Sequence, residues 1–440
     1  MTIVLIKAAQ LILSLAILIT LHELGHFIAA RLFKTRVEKF YLFFNPWFSI
    51  FKFKRGETEY GLGWIPLGGY VKIAGMIDES LDKEQMKLPA QPFEFRSKPA
   101  WQRLIIMLGG IIVNVILGIL IYSFVLLGYG EQYIPVNGLK YGIAVDSLGQ
   151  EIGLRSGDKI ISVDHKNVER FNQLPLAIVI NQAKSIQVER DGKKQDVIVP
   201  KGVLEKMIAA KGAFIDIRVP FVVDNMPDTS VALKAGMRKG DQVIAINESP
   251  VEFFDEGRTI IKQNPGKAVS IRALRGNDTV SFEMVVSKSG FIGVVPVQAD
   301  KYLKVESINY NLISCWSAGA GKAWMTLVNY VKQFGLVFNS EAKGYKHIGG
   351  FISIGSAFSP TWDWFSFWSF TAFLSIVLAF MNLLPIPALD GGHVLFTLWE
   401  MITRRKPSIK FLEYAQIGGM IIILSLLLFA NGNDILKLFR

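Results

Sequence analysis

The sequence predicts a polytopic α-helical membrane protein with about four transmembrane helices, a membrane-associated β-hairpin and two inserted α+β domains. Three observations support this fold class. The 440 residues are 51% apolar and 19% charged, which is too apolar for a soluble protein and too charged for a bundle of spans alone. Four apolar runs are long enough to cross a bilayer. Between the second and third runs, one motif occurs twice.

The apolar runs and the repeated motif divide the chain into consecutive segments. A run that crosses the hydrocarbon core needs about 20 apolar residues, which separates spans from strands. The predicted segments are a first transmembrane helix (1–33), a cytoplasmic or re-entrant β region (34–100), a second transmembrane helix (101–128), two α+β domains (129–213 and 214–300), an extracytoplasmic amphipathic helical segment (301–360), a third transmembrane helix (361–393), a cytoplasmic segment (394–415) and a fourth transmembrane helix (416–440).

The first apolar run, MTIVLIKAAQLILSLAILIT, has the lysine and the apolar core of a secretory signal. No small-x-small cleavage site follows it, and HELGH comes instead, so we expect a retained span. At about 1.5 Å per residue, the helix is longer than the ~30 Å hydrocarbon core. HELGH is therefore expected inside the membrane or just under one face.

The β region contains TEYGLGWIPLGGYVKIAGM (58–76), which is rich in glycine and in β-forming residues. This composition predicts one or two short strands with tight bends rather than a helix. The second span follows, and Asn114 is its only strongly polar residue. We interpret Asn114 as a structural hydrogen bond between helices.

The repeated motif lies between the second and third spans. GLRSGDKIISVD (153–164) recurs as GMRKGDQVIAIN (236–247), with Gly, Arg, Gly and Asp at the same places. The spacing indicates two tandem domains rather than a solenoid, whose period is about 20–50 residues. Residues 309–338 then show a helical pattern, for which we prefer an interfacial amphipathic helix over a further span.

The positive charge indicates how the chain lies in the membrane. The formal charge is +11, and basic residues are frequent in the loops 34–98 and 404–410. Basic loops between spans usually face the cytoplasm, which places both termini and residues 129–360 outside it. No aromatic-basic pattern predicts nucleic-acid binding. The lipid bilayer is the expected partner.

The supply of metal ligands is limited. Cys315 is the single cysteine, which excludes an internal disulfide and a cysteine-based zinc cluster. Any metal must be held by His, Asp or Glu. On a helix, the H-E-x-x-H pattern places His22 and His26 on one face, where both imidazoles reach one zinc ion.

Glu23 is adjacent to the first histidine and is placed to act as general base on a metal-bound water. The alternative is that His22 and His26 are satisfied by neighbouring backbone or side chains. Burying three ionisable groups at membrane depth costs several kcal/mol unless something binds them. The membrane location therefore favours the metal site.

A catalytic zinc needs a third protein ligand and an open fourth position. We favour Asp390, which follows a Pro-x-Pro break at the end of the third span; the alternative is a helix N-cap aspartate. His393 is a second candidate ligand, although we expect it to pack or hydrogen-bond around the site. His165 and His347 are predicted on the opposite side of the membrane.

Asn382 precedes Asp390 near the end of the third span. Its amide N–H could stabilise the oxyanion of a tetrahedral intermediate. An inter-helix hydrogen bond is an equally good interpretation on chemical grounds, so both remain open here.

Three motifs in this order resemble the site-2 family of intramembrane zinc proteases: HELGH, IPLGGYVKIAGM (65–76) and NLLPIPALDGGH (382–393). The tandem repeat is similar to the PDZ pair of one branch of that family. The resemblance covers nearly the whole chain. It implies zinc as the cofactor, with the roles Glu23 as general base, Asn382 as transition-state or substrate contact, and His22, His26 and Asp390 as zinc ligands.

The resemblance also implies that the hairpin 58–72 pairs with an unwound substrate, through Gly68, Gly69, Tyr70 and Val71. A transmembrane helix must unwind before cleavage, and its freed backbone groups then need hydrogen-bond partners. The expected substrates are single-pass membrane proteins, such as anti-sigma factors already cut once and remnant signal peptides. Two alternatives are a membrane-anchored PDZ scaffold with a structural metal and a protease that cuts soluble peptides at the membrane surface.

Overall fold

The computed structural model describes residues 2–76, 89–210 and 212–439. Residues 77–88 of the predicted 34–100 region lie outside the described residues. The chain divides into two compact units. The membrane unit comprises residues 1–130, 309–334 and 346–440, and the repeat unit comprises residues 131–308 and 335–345.

Both helices and strands occur along the described chain. The α-helices are α1 (Thr2–Leu32), α2 (Ala100–Tyr129), α3 (Ser147–Ile152), α4 (Leu174–Ile180), α5 (Leu204–Ala209), α6 (Val231–Lys234), α7 (Phe254–Lys262), α8 (Ser314–Val337), α9 (Phe351–Ser356), α10 (Trp364–Leu383), α11 (Asp390–Thr403) and α12 (Ile409–Leu438). The strands are β1 (Val37–Phe44), β2 (Phe51–Arg55), β3 (Thr58–Leu62), β4 (Ile65–Ile73), β5 (Glu131–Tyr133), β6 (Ile143–Val145), β7 (Lys159–Val163), β8 (Ser185–Arg190), β9 (Lys193–Ile198), β10 (Ile215–Ile217), β11 (Val223–Asn225), β12 (Gln242–Ile246), β13 (Ser249–Pro250), β14 (Ala268–Arg275), β15 (Asp278–Val285), β16 (Val295–Pro296) and β17 (Glu306–Ile308).

Within the described residues, four helices are long and apolar enough to cross a membrane: α1, α2, α10 and α12. Together with the β-sheets in the middle of the chain, they confirm the predicted polytopic helical membrane protein. Helix α12 begins at Ile409, before the apolar run on which the prediction rested. Its N-terminus is set by Ser408, whose hydroxyl caps the backbone N–H of Phe411.

Helices α1 and α2 approach each other closely because glycines face each other. A Cβ on Gly25 would lie 2.3 Å from the Gly109 carbonyl oxygen, and a Cβ on Gly109 would lie 2.6 Å from the Gly25 oxygen. Only hydrogen atoms fit in this contact, which is how small residues bring membrane helices together. On α2, Gly118 faces Ile376 of α10 in the same way.

Strands β1 to β4 form one sheet in the order β2-β3-β1-β4. The predicted hairpin over 58–72 is therefore wrong in its pairing: β3 and β4 are both strands, but β1 lies between them. β1 pairs with β3 in parallel and with β4 in antiparallel orientation. The chain crosses the end of β1 at Gly63, where any Cβ would lie 2.1 Å from the Phe44 carbonyl oxygen.

The repeat unit contains two hydrophobic cores. One lies among β6 to β9, α4 and α5 and includes Ile143, Ile186 and Phe214; the other lies among β11, β12, β14 and β15 and includes Phe221 and Ile271. Strands β5 and β17 pair with each other, which joins the two ends of the unit's main segment.

The repeated Gly-x-Arg-x-Gly-Asp motif forms the same ion pair in both copies. Asp158 accepts hydrogen bonds from Arg190 Nε and Nη2 at 2.7 Å each. Asp241 accepts the corresponding bonds from Arg275 at 2.8 Å each. Each arginine also donates to the carbonyl of the first glycine of the motif, at 2.9 Å. The motif is therefore a turn closed by an arginine that comes from a later strand.

Candidate active site

Three potential ligand atoms converge beside α1. His22 and His26 lie one turn apart and are 7% and 4% exposed. Their Nε2 atoms are 3.3 Å apart, and Asp390 Oδ2 lies 3.1 Å from the first and 3.2 Å from the second. A tetrahedral zinc ion with bonds of about 2.0–2.1 Å separates its ligand atoms by about 3.3 Å. The three atoms are therefore spaced as zinc requires.

The chemistry of these groups also fits a cation. Asp390 Oδ2 is buried and accepts no hydrogen bond of good geometry from the described residues. Its ion-pair contacts there are with His22 and His26, which carry charge only when protonated. A buried carboxylate without a permanent positive partner is costly. A divalent ion would satisfy this oxygen and both imidazoles together.

The loop before Asp390 gives that carboxylate its direction. Helix α10 ends at Leu383, ahead of Pro385 and Pro387, and α11 begins at Asp390 itself. The cap position belongs to Leu389, so the alternative interpretation of Asp390 as an N-cap is not what forms. Ala388 has φ of +109°, a strained conformation for a residue with a Cβ.

Backbone contacts hold this loop from two sides. A Cβ on Gly392 of α11 would lie 2.6 Å from Pro387 Cα, and a Cβ on Gly419 of α12 would lie 1.2 Å from the Pro387 carbonyl oxygen. The neighbouring Gly418 has nothing within 4 Å of its Cβ position. The fourth span thus packs directly on the backbone that precedes Asp390.

Glu23 lies between the ligand cluster and the sheet. Its carboxylate is within hydrogen-bonding reach of the Val71 backbone N–H, on β4. β4 is an edge strand of the sheet, and its N–H groups alternate between its two sides. The Val71 N–H therefore points away from β1, towards α1.

The other predicted substrate residues of β4 pack on β1. Gly68 lies against the Phe44 ring, and a Cβ on Gly69 would lie 2.8 Å from the Tyr41 carbonyl oxygen. Tyr70 stacks on Tyr41 at 5.3 Å between ring centroids. Burial and the neighbouring Tyr41 raise the pKa of Tyr70 to about 12, so its hydroxyl stays protonated. The backbone edge, rather than these side chains, faces α1.

Asn382 lies at the ligand cluster as well. Asn382 is on the last turn of α10, and its Nδ2 is 3.4 Å from His22 Nε2. His393 is outside the group of potential ligands found among the described residues, which contains His22, His26 and Asp390.

Helix α2 supplies groups that sequence reasoning missed. The Ile106 carbonyl lies 2.8 Å from His26 Nδ1, and Asn114 Nδ2 lies 3.1 Å from His22 Nδ1. Asn114 was expected to bond another helix, and it does contact His22 of α1; what sequence reasoning missed is that this partner belongs to the candidate metal site. The available signal was its isolation as the only strongly polar residue of the second apolar run. The Ile106 carbonyl carries no sequence signal.

Comparisons with known proteins agree with this geometry. The family model described as peptidase family M50 matches residues 10–426. The regulator of sigma-E protease RseP of Escherichia coli is 28% identical to the chain, over 98% of both proteins. Protease RseP of Yersinia pestis is 27% identical over 98% of both. A Neisseria meningitidis protein named as a zinc metalloprotease is 27% identical over 97% of this chain and 98% of its own length. With the family model matching almost the whole chain, this protein belongs to peptidase family M50, the site-2 family of metalloproteases.

Proposed function

We propose that this protein is a zinc endopeptidase that cleaves the transmembrane segments of single-pass membrane proteins. The observation that carries the proposal is the convergence of His22 Nε2, His26 Nε2 and Asp390 Oδ2 within 3.3 Å, beside Glu23. Relatives of similar length are named as regulators of sigma-E protease. Anti-sigma factors already cut once are therefore the first substrate class to test, and remnant signal peptides the second.

His22, His26 and Asp390 would hold the zinc ion, which would supply Lewis acidity to a water and to the peptide carbonyl. Glu23 accepts the proton of the attacking water and passes it to the leaving amine. Asn382, at the same cluster, donates its amide N–H to the oxygen that gains negative charge.

The substrate backbone would add to the free edge of β4. An unwound membrane segment needs partners for its N–H and C=O groups, and an edge strand supplies them without selecting side chains. This edge is a suitable place for the substrate backbone, because it lies against Glu23. Gly69 and Val71 would present their N–H groups to the substrate, whereas the Tyr70 N–H would bond to β1.

The two sides of β4 suggest a matched pair of variants. Val71→Pro removes an N–H group that points away from β1, and the hydrogen bonds between β4 and β1 remain. Cleavage of a membrane substrate should therefore fall. Tyr70→Pro removes a bond between β4 and β1 instead and should destabilise the sheet. Unchanged cleavage by Val71→Pro in a stably folded protein would contradict strand addition.

We further propose a bacterial inner-membrane location, with residues 34–98 and 404–410 in the cytoplasm and with the repeat unit and both termini outside. The basic character of the two loops supports this orientation. Cysteine substitutions in those loops should be labelled only after the membrane is opened. Labelling of intact cells there would reverse the proposed orientation.

The repeat unit would act as a pair of PDZ-like domains that meet the outer part of a substrate. A cavity of about 710 Å³ lies within this unit, between β10 and α7. It is lined by Phe214, Ile217 and Val219 on one side and by Phe254, Arg258 and Lys262 on the other. Deletion of 130–300 tests the role: a size filter predicts that an untrimmed substrate is now cut.

The decisive experiment is Glu23→Gln. The variant should keep its zinc and its fold and lose cleavage, because only the proton acceptor is changed. Membrane-protein fragments are compared in cells that carry the wild type or the variant. A membrane scaffold with a structural metal predicts no loss of function, and a surface protease predicts that soluble peptides without an apolar segment are cut well.

A further inference from the structure

One face of α2 lies against the candidate metal site. Ile106, Gly110 and Asn114 follow each other at intervals of four residues, so they share that face. A Cβ on Gly110 would lie 2.5 Å from both His22 Cε1 and His26 Nε2. The helix can therefore approach the two imidazole rings only because residue 110 is glycine.

The partner of His26 fixes the form of that ring. The Ile106 carbonyl can only accept a hydrogen bond, so the Nδ1 atom 2.8 Å away must carry the proton. Nε2 then has a free lone pair, which faces the cluster. His26 is thus held in the tautomer that binds a metal through Nε2.

The corresponding partner of His22 is the carboxamide of Asn114. Asn114 is completely buried, and with Nδ2 directed to His22 Nδ1 its Oδ1 atom has no hydrogen-bond partner among the residues that the structure describes. The oxygen and nitrogen of an amide have nearly the same shape, and their assignment follows the hydrogen bonding. Rotating the amide by half a turn brings Oδ1 to His22 Nδ1. In that orientation the oxygen would accept the Nδ1 proton, and Nε2 would present its lone pair beside that of His26.

We propose that Asn114 is a positioning residue for the metal: its amide oxygen holds His22 in the tautomer and orientation that bind the ion. The proposal rests on the metal site of the proposed function. Asn114 is well placed for this task because its own backbone is fixed. Ser375 of α10 donates its hydroxyl to the Asn114 carbonyl at 2.7 Å, and both residues are fully buried.

The experiment measures Zn²⁺ affinity by competition with a chelator, on the full-length protein in detergent. Asn114→Leu keeps the volume and removes the acceptor, and it should weaken Zn²⁺ binding about 10–100-fold, as loss of an outer partner of a metal ligand does. Asn114→Asp keeps an acceptor for Nδ1 and should bind within a few-fold of the wild type. Ser375→Ala removes only the bond that supports the Asn114 backbone and keeps the acceptor for Nδ1, so it should weaken Zn²⁺ binding far less than Asn114→Leu does.

A merely structural role for Asn114 gives a different pattern. Asn114→Leu would then lower the unfolding temperature of the metal-free protein, as Ser375→Ala does, with Zn²⁺ affinity unchanged; that result would overturn the inference. Equal weakening by Asn114→Asp and Asn114→Leu would overturn it too. If the wild type binds no Zn²⁺, the metal site of the proposed function fails and this inference fails with it. The failures are therefore distinguishable.

Discussion

The two units of the molecule bury carboxylates in different ways. In the repeat unit, Asp158 and Asp241 are each 1% exposed and receive paired hydrogen bonds from Arg190 and Arg275. In the membrane unit, Asp390 faces two imidazoles and has no permanent cation among its described ion-pair partners. The arginine pairs are complete and make a turn rigid. Among the described residues, Asp390 has ion-pair partners whose charge depends on protonation, so its cluster is suited to bind a cation.

The largest effect is expected for metal binding, which should depend on Asp390 and not on the carboxylates paired with arginine. Asp390→Asn removes the charge of a proposed ligand and should abolish metal binding and proteolysis, a greater loss than the roughly 10–100-fold that follows loss of an outer partner. Asp158→Asn should leave the metal content of the membrane unit unchanged. Metal analysis of the two purified variants checks this. If the Asp390→Asn variant retained stoichiometric zinc, Asp390 would not differ from Asp158 in its importance for metal binding.

Breaking an arginine pair should cost stability instead. Asp158→Asn leaves Arg190 without its buried partner, and loss of one member of such a pair costs about 3–5 kcal/mol. Asp241→Asn should cost less, because the Arg275 side chain is 30% exposed and that of Arg190 is 16% exposed. Denaturant unfolding of both variants gives the order. The reverse order would show that burial of the arginine does not decide the cost.

Lowering the pH should reproduce part of the loss of stability expected for Asp241→Asn. Burial alone would raise the pKa of Asp241, but hydrogen bonds from Arg275 and from the Arg238 backbone N–H hold it below its ordinary value. A carboxyl with a lowered folded-state pKa contributes stability above its unfolded pKa, near 4, and loses it as the pH falls through the folded value. The denaturant concentration at the unfolding midpoint should therefore decrease as the pH is lowered below about 4. Asp241→Asn should flatten this drop, and an unchanged pH profile would exclude Asp241 as its source.

A smaller effect concerns the loop that carries Asp390. Gly419→Ala places a methyl group against the Pro387 carbonyl, and such overpacking costs about 1–3 kcal/mol. Gly418→Ala is the matched control, because the space around its Cβ position is open. Thermal unfolding and proteolysis are measured for both. Equal behaviour of the two variants would mean that the fourth span does not support the loop.

The smallest effect is expected at the surface of the repeat unit. Lys206 and Glu151 form an ion pair at 2.6 Å, but their side chains are 59% and 45% exposed. Exposed pairs contribute about 0–1 kcal/mol, so Lys206→Ala should hardly move the unfolding midpoint. A loss as large as that of Asp158→Asn would mean that distance, rather than burial, determines the strength of these pairs.

Sequence reasoning succeeded where the determining contacts are local. His22 and His26 could be paired because helix periodicity alone brings them to one face. The two tandem domains could be predicted because the motif that contains Asp158 recurs around Asp241. The four spans were predictable because hydrophobicity over about 20 residues decides membrane insertion. The role of Asp390 stays a prediction, supported by its distance to both imidazoles.

The failures concern contacts between distant segments. The order of the sheet depends on β1 entering between β3 and β4, and strand composition contains no information on which neighbours pair. Arg190 and Arg275 could not be assigned as partners, because they lie beyond the repeated motif. The contact of Gly419 with Pro387 shows the same limit: adjacent Gly418 and Gly419 look identical in the sequence, and only packing distinguishes them.

The separation of the cluster along the chain has a consequence for biosynthesis. HELGH leaves the ribosome long before Asp390, because the whole stretch from Phe27 to Leu389 is made between them. At about 5–20 residues per second, the two histidines spend tens of seconds in the membrane before the third group arrives. The nascent chain would thus be unable to cut anything, its own unfolded spans included. Activity would begin only after Asp390 has been made.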